Sequence, residues 1–451
     1  MGASHANLLQ KYSRPVPRYT SYPTAPHFHA GVGAATYRRW LAELPDAPLS
    51  LYCHIPFCDS LCWFCGCHTK IVRRYQPVSD YLEVLSSEID LVADATGETR
   101  KLSHLHFGGG SPTMLRPSDI AALTGKLWDR FERACDLELA VEIDPRDMDR
   151  EQVQTWAAHG MTRASLGVQD FNPEVQRAIN RVQTLATTAR VVEWLRAAGV
   201  AGINIDLMFG LPHQSVDHVL QTIEQVLELA PDRLALFGYA HVPWMKTHQR
   251  LIPSEALPGP GERLEQSEAA ARRLIEAGYV PIGLDHFARP TDRLAQAAGE
   301  GTLHRNFQGY TNDRARTVIG LGASAIGGLP QGYVQNQVPL RDYAEAVRRG
   351  RLAACRGVTV TADDRLRRAV IERLMCSFQV DLAQTARDLG APVQGFGDEL
   401  AALSEMSRDG LAVVKGDQVT VTSLGRPFLR SICAIFDRYL QPDQARHSQA
   451  V

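Results

Sequence analysis

Residues 51–70 read LYCHIPFCDSLCWFCGCHTK and carry Cys53, Cys58, Cys62, Cys65 and Cys67, five of the nine cysteines in the chain. Thiols this close together would close strained disulfide rings that constrain little chain entropy. The stretch therefore reads as a metal-binding loop. Two donor sets compete. Four of the cysteines can close a structural zinc tetrahedron. Alternatively, the C-x3-C-x2-C spacing of Cys58, Cys62 and Cys65 can place three thiolates on three irons of a 4Fe-4S cluster, leaving the fourth iron without a protein ligand. An open iron is a place for chemistry.

The whole chain sets limits around this loop. Its 451 residues suffice for two or three domains, each with a substantial core. A composition of 45% hydrophobic and 22% charged residues is that of a globular protein. The net charge of −2 gives no global attraction to nucleic acid or anionic lipid, so neither partner is expected. Residues 1–10, MGASHANLLQ, lack the basic and apolar regions of a secretory signal, and no apolar run approaches the roughly 18 residues of a membrane span. A cytoplasmic protein is expected. The other cysteines, Cys135, Cys355, Cys376 and Cys433, are scattered and read as reduced, buried small hydrophobes.

Four prolines, three tyrosines and two arginines in residues 11–28, KYSRPVPRYTSYPTAPHF, predict an extended arm. Either Arg14, Arg18, Tyr19 and Tyr22 lie over an active site, or the arm is a strap whose aromatics pack on the body. From residue 49 to about 288, seven apolar runs alternate with amphipathic helical stretches: SLYCHIPF, LSHLHFGGG, LELAVEIDP, RASLGVQDF, GINIDLMFGLP, DRLALFGYAHVP and YVPIGLDHF. The alternation predicts an α/β fold, an incomplete (β/α)6-type parallel barrel, with ligands at the carboxyl ends of its strands. GGGSPT (108–113) ends the second run, and its glycines can free backbone N–H groups for a ligand. Glu142, Gln169 and Asp206 fall late in three successive runs, where a carboxylate needs a partner, either an arginine or a ligand. From residue 357, DDRLRRAVIERLMCSF and LAQTARDLG read as helices and LAVVKGDQVTVTS as a hairpin, a small, mainly helical, winged-helix-like cover domain without a phosphate-binding stripe. The expected organisation is an arm over 1–30, the barrel over 31–330, a connecting segment over 331–356 and the cover domain over 357–451.

The C-x3-C-x2-C loop after a first strand resembles that of the radical S-adenosylmethionine (SAM) enzymes. With HIPFC (54–58), CWFCGC (62–67), PRYTSYPTA (17–25) and GLDHFARP (283–290), the chain resembles one family within them, the oxygen-independent coproporphyrinogen III oxidases, from about residue 11 to about residue 440. The resemblance implies that Cys58, Cys62 and Cys65 hold the cluster, that SAM chelates the open iron, and that its 5′-deoxyadenosyl radical oxidises coproporphyrinogen III. It implies two SAM molecules. The first would lie near Tyr52, Gly109, Glu142 and Ile326, the second near Phe64, Gly110, Ser111, Gln169, Arg181, Asp206 and Ala240. Ser111 stands where threonine is commoner in the family and keeps the hydroxyl.

Tyr52 and Cys67 are the implied catalytic side chains. A fourth thiolate would fill the iron that SAM needs, so Cys67 is kept outside the cluster; related haem chaperones usually have phenylalanine there. Cys53 is expected in the core. His54, His104, His106, His286 and His304 are expected to be satisfied structurally. An electron donor, an electron acceptor and a monomeric state complete the expectation. The alternatives are a haem carrier on the same scaffold, which Cys67 and the arm argue against, a radical SAM enzyme acting on haem, and a zinc protein of transcriptional type.

Overall fold

The structure is a computed structural model and describes residues 3–97, 99–392 and 395–440, with side chains from residue 7 onward. Six parallel strands form its centre: β1 (Leu49–Ile55), β2 (Lys101–Gly109), β3 (Glu132–Ile143), β4 (Arg163–Gln169), β5 (Gly202–Phe209) and β6 (Arg233–Gly238). They lie side by side in chain order, each returning through a helical crossover. These are the first six of the predicted runs.

The seventh run, YVPIGLDHF, folds differently. Gly283, with φ +55°, turns it into a tight hairpin of β7 (Val280–Ile282) and β8 (His286–Ala288), and β8 pairs antiparallel with β6. The hairpin reverses the chain after the crossover through helix Pro260–Glu276, so β8 runs back along β6. The seventh parallel strand is β9 (Val318–Leu321), on the far side of β1. Beyond it the sheet continues antiparallel through β10 (Ile326–Leu329), β11 (Gly332–Asn336) and β12 (Ala354–Thr359). The twelve-stranded sheet runs from β12 to β7 without closing, so the barrel is open.

Alternation along the strands sorts the side chains. Leu51, Cys53 and Ile55 of β1, Leu105 and Phe107 of β2, and Leu139 and Val141 of β3 point outward into one apolar core. Helices cover it; in Gln76–Thr96, Val78, Tyr81, Leu85, Ile89 and Val92 recur at three-to-four spacing and are buried there. Inward, the same strands present Tyr52, His54, His106, Glu138, Glu142, Ser165, Asn204 and Asp206. The apolar core is therefore the layer between sheet and helices, and the barrel interior is polar.

The C-terminal domain contains the expected helices, Ala362–Ser377 and Leu382–Asp388, and the hairpin β14 (Ala412–Lys415) and β15 (Gln418–Val421), preceded by β13 (Gln379–Asp381), which also pairs with β15. A third helix, Gly397–Arg408, was not expected. Residues 441–451 of the expected cover domain lie outside the described residues. The arm is not extended throughout: a helix, Ala3–Tyr12, precedes the first proline at position 15. Leu8, Leu9, Tyr12, Tyr19 and Tyr22 share a core with Leu374, Val419, Phe428 and Phe436. Tyr12, Tyr19 and Tyr22 therefore pack on the C-terminal domain, whereas Phe28 stacks on Tyr333 of β11 and Ala25 and Pro26 reach the barrel cavity.

Cys53 and Cys433 are fully buried, Cys355 and Cys376 are half-buried, and Cys135 is exposed. The expectation of burial fails at Cys135 because the first residues of β3 overhang the helix layer. Among the described residues, no helix is long and apolar enough to cross a membrane.

Candidate active site

Past β1 the chain makes a two-residue strand, Phe57–Cys58, that pairs with Lys70–Ile71 and pins both ends of the cysteine loop. The loop between is held from outside. The Asn180 amide donates to the Leu61 carbonyl (2.8 Å), Lys246 to that of Cys67 (3.0 Å) and the Gln249 amide to that of Phe64 (3.0 Å), and His248 bonds the Cys65 carbonyl (2.8 Å). Donors also reach the sulfurs: Arg181 Nη1 at 3.5 Å and Arg146 Nη2 at 3.6 Å from Cys62 Sγ, and the Cys67 N–H at 3.4 Å from Cys65 Sγ. Positive charge and N–H groups around sulfur suit thiolates bound to iron and tune such a cluster. Among the described residues, no three Cys, His, Asp or Glu side chains converge as a single zinc ion would require. The residues fit a cluster spread over three irons better than a zinc tetrahedron.

The two arginines are set by Asp144, which lies 2.9 Å from Arg181 Nη1 and 2.7 Å from Arg146 Nη2. Burial pushes the Asp144 carboxyl up, but the two guanidiniums outweigh it and bring it down to about 2. Cys65 and Cys67 are linked by a hydrogen bond that lowers the pKa of Cys65 and raises that of Cys67.

Inside the barrel is a cavity of about 810 Å³, lined among others by Tyr52, Cys67, Gly109, Glu142, Asp206 and Ile326. Glu142 accepts the Gly109 N–H (3.0 Å) and pairs with His106 Nε2 (3.0 Å). Burial raises its carboxyl, yet the His106 and Gly109 hydrogen bonds bring it below the ordinary carboxylate value. His54 Nε2 lies 3.0 Å from the His68 carbonyl and must donate to it, so Nδ1 accepts the Tyr52 hydroxyl at 3.0 Å. Burial lowers the His54 pKa, which keeps that ring neutral. Asp206 accepts from Ser165 (2.9 Å) and Asn204 (2.8 Å) deeper in the barrel.

The glycines at the end of β2 make room chiefly for protein. A Cβ on Gly108 would lie 2.6 Å from the Glu142 carboxylate, one on Gly109 would clash with the His54 ring, and one on Gly110 would lie 2.6 Å from the Phe57 carbonyl. Their N–H groups, expected to be free, are also used: Gly110 donates to Ile55 (2.8 Å) and Ser111 to Phe57 (2.7 Å). The buried Ser111 hydroxyl is bonded to Thr113.

The structure thus gathers Tyr52, Gly109, Glu142 and Ile326, with Cys67 and Asp206, around one cavity. It places the remaining candidates elsewhere. Phe64 packs with Val175, Ile179 and Tyr239 behind the cysteine loop; Arg181 and Gln169 flank Gly167; Ala240 lines a separate cavity outside β6. Four of the five histidines line the barrel cavity, and each of the five has a structural partner: His54 with Tyr52, His104 with Asp313, His106 with Glu142, His286 with Asp285 and His304 with Glu372. Arg163, Arg233 and Arg356, together with Phe307 and Gln308, also line the cavity and were not singled out from the sequence. Arg163 was legible, since it falls on the same alternation as Ser165. Phe307 and Gln308 arrive on a short hairpin between Asn306 and Gly309 that no pattern announced.

An open parallel α/β barrel, whose first strand runs into a three-thiol loop bordering a polar cavity, defines a radical SAM domain. The family model described as the radical SAM superfamily matches residues 52–226, and that of the HemN C-terminal domain matches residues 360–428. The superfamily brings with it a 4Fe-4S cluster and SAM, which the thiol loop and cavity fit. The oxygen-independent coproporphyrinogen III oxidase of Bradyrhizobium diazoefficiens is 51% identical to this chain over 99% of this chain and 100% of its own length. The Escherichia coli protein of that name is 41% identical over 98% of this chain and 96% of its own. A solved structure of coproporphyrinogen III oxidase (HemN) from Escherichia coli, described as a radical SAM enzyme, matches with a TM-score of 0.90 at 40% identity, covering 94% of this chain and 98% of that one. The chain belongs to the family of oxygen-independent coproporphyrinogen III oxidases.

Proposed function

We propose that this enzyme converts coproporphyrinogen III into protoporphyrinogen IX without oxygen, turning two propionate side chains into vinyl groups in haem biosynthesis. The observation that carries the reading is that the cysteine loop borders the polar barrel cavity, through Cys67 and His68. When bound, the cluster and SAM supply a 5′-deoxyadenosyl radical, and each propionate loses a β-hydrogen atom, CO2 and one electron. Cys58, Cys62 and Cys65 hold the cluster, with Arg146 and Arg181 donating to the Cys62 sulfur. Glu142, fixed by His106 and Gly109, offers a carboxylate to a cationic group, and Tyr52, oriented by His54, shapes the same wall.

Two SAM molecules per active site, one for each vinyl group, are what the family resemblance implies, although the residues of the second set do not share one cavity and Ala240 lines the chamber outside β6. Tyr52, Gly109, Glu142 and Ile326 contact the first; Phe64, Gly110, Ser111, Gln169, Arg181, Asp206 and Ala240 serve the second. Cys67, on the cavity wall outside the three-thiol motif, acts on the substrate side. The enzyme works as a cytoplasmic monomer with an external electron donor and acceptor. Its arm (1–30), barrel (31–330), connecting segment (331–356) and cover (357–451) act as one unit.

The test is anaerobic turnover of the reconstituted enzyme with reductant, SAM and coproporphyrinogen III. About two deoxyadenosines per protoporphyrinogen are expected. Deoxyadenosine without a porphyrin product would refute the substrate, and tight haem binding without SAM cleavage would favour a carrier.

A further inference from the structure

A second cavity, of about 740 Å³, lies outside the barrel wall. Its sides are the outer face of β6 at Leu236 and Gly238, the helix Pro260–Glu276, the arm at Pro15 and Arg18, and the C-terminal domain at Phe378 and Arg430. Six arginines line it, and four of them, Arg18, Arg263, Arg305 and Arg430, are the ones that face one another electrostatically; Arg426 lies over the Phe378 ring. The carboxylate among them is Asp285, which is already bonded to His286 at 2.7 Å and is held down to about 2. Glu268, also on the wall, lies 4.0 Å from Arg272. The chamber therefore carries a clear excess of positive charge.

Such a cluster is costly unless an anion completes it. Burial, together with the neighbouring arginines, depresses Arg263 to about 10 and Arg430 to about 9, so the folded chain strains to keep them charged. Protein groups satisfy the cluster only in part. Arg18 donates to the Gly238 carbonyl at 2.9 Å, but Nε and Nη1 of Arg305 are buried without a hydrogen-bond partner. The other walls are apolar and aromatic: Phe209, Tyr239, Trp244, Leu257 and Phe378. A cavity of this size lined by both guanidiniums and aromatic faces, with Arg263 over the Phe209 ring, suits a flat amphiphile bearing carboxylates.

We propose that this chamber is a binding site, separate from the barrel cavity, for a carboxylate-bearing tetrapyrrole, with Arg18, Arg263, Arg305 and Arg430 taking its carboxylates. The tetrapyrrole class rests on the proposed function; the preference for an anion does not. Substrate and product share the ring and differ in carboxylate count, so the oxidised, unreactive porphyrins separate them.

The experiment titrates the reconstituted enzyme with coproporphyrin III, then with protoporphyrin IX, following porphyrin fluorescence and stoichiometry. Arg263→Gln and the double change Arg263→Gln, Arg430→Gln are compared with the parent, and iron content and thermal midpoint report on folding. The parent must show a saturable site additional to that of the barrel cavity, and this second site must weaken at least tenfold in Arg263→Gln, a half-buried helix position, and further in the double variant, while the barrel site keeps its affinity. Tighter binding of coproporphyrin would mark a substrate site, and tighter binding of protoporphyrin a product site. Parent-like affinity at the second site in a folded Arg263→Gln variant, no second porphyrin site on the parent, or displacement from it by an equal concentration of citrate would overturn the proposal. Turnover, measured in parallel, reports separately on the activity.

Discussion

At the residue scale, the cysteine loop separates ligands from bystanders. Cys62 is the buried thiol that two guanidiniums approach, whereas Cys67 faces the barrel cavity. Cys62→Ser should lose the cluster and with it SAM cleavage, read as iron and acid-labile sulfide after anaerobic reconstitution. Cys67→Ser should keep the parent's iron while losing turnover at least tenfold; a large loss of iron would mean that the ligand set is wrong. Gly110 offers a steric test. Its Cβ would meet the Phe57 carbonyl at 2.6 Å and the Ile55 carbonyl at 2.8 Å, both backbone atoms that cannot swing away. Gly110→Ala should push the β2 end off the cysteine loop and lower the iron bound per chain, with a destabilisation of about 1–3 kcal/mol in chemical unfolding.

At the scale of elements, the turn between β9 and β10 that leads to Ile326 hangs on one buried carboxylate. Glu88, on the helix Gln76–Thr96, accepts from the Gly322 N–H (2.6 Å), Asn336 Nδ2 (2.7 Å) and the Tyr343 hydroxyl (2.7 Å). Burial outweighs these bonds and raises its pKa to about 7. The folded chain thus binds a proton that the unfolded chain, with an ordinary carboxyl, releases. The contribution of Glu88 to stability is full below about pH 4.5 and is lost as pH rises through about 7, by roughly 3 kcal/mol at most. Glu88→Gln should flatten that fall, so that thermal midpoints measured between pH 5 and 8 converge.

Legibility divides along the same elements. Six parallel strands could be read because buried parallel strands are near-continuous apolar runs. The hairpin at 280–288 could not, because its composition matches a strand and only Gly283 betrays the turn. Glu142, Asp206 and Ile326 were legible as polar or motif positions at strand ends, and the structure puts them around one cavity, on well-separated strands. Glu88 gave no signal, since a glutamate on an amphipathic helix reads as solvent-facing until the sheet is seen above it.

For the whole molecule, the two ends of the chain form one core. The Tyr12 hydroxyl donates to Asp409 at 2.5 Å, the Tyr19 hydroxyl to Asp437 at 3.1 Å, and the Arg438 N–H to the Tyr22 hydroxyl at 3.1 Å. Tyr19→Phe should cost about 1 kcal/mol, the size of one buried hydrogen bond, in urea unfolding. Deleting residues 1–24 uncovers Leu374 and Phe428, so limited proteolysis should then cut the C-terminal domain first while the barrel survives. Equal resistance of the two parts would show that the arm is dispensable to that core.

That shared core also sets an order of birth. Leu8, Leu9, Tyr12, Tyr19 and Tyr22 leave the ribosome about 400 residues before their partners Phe428 and Phe436. At roughly 5–20 residues per second, the arm waits on the order of 20–80 s with its apolar side chains bare. The barrel strands are all made in that interval, but the strap cannot fasten until Phe428 and Phe436 exist, so closure of the shared core follows synthesis of the barrel.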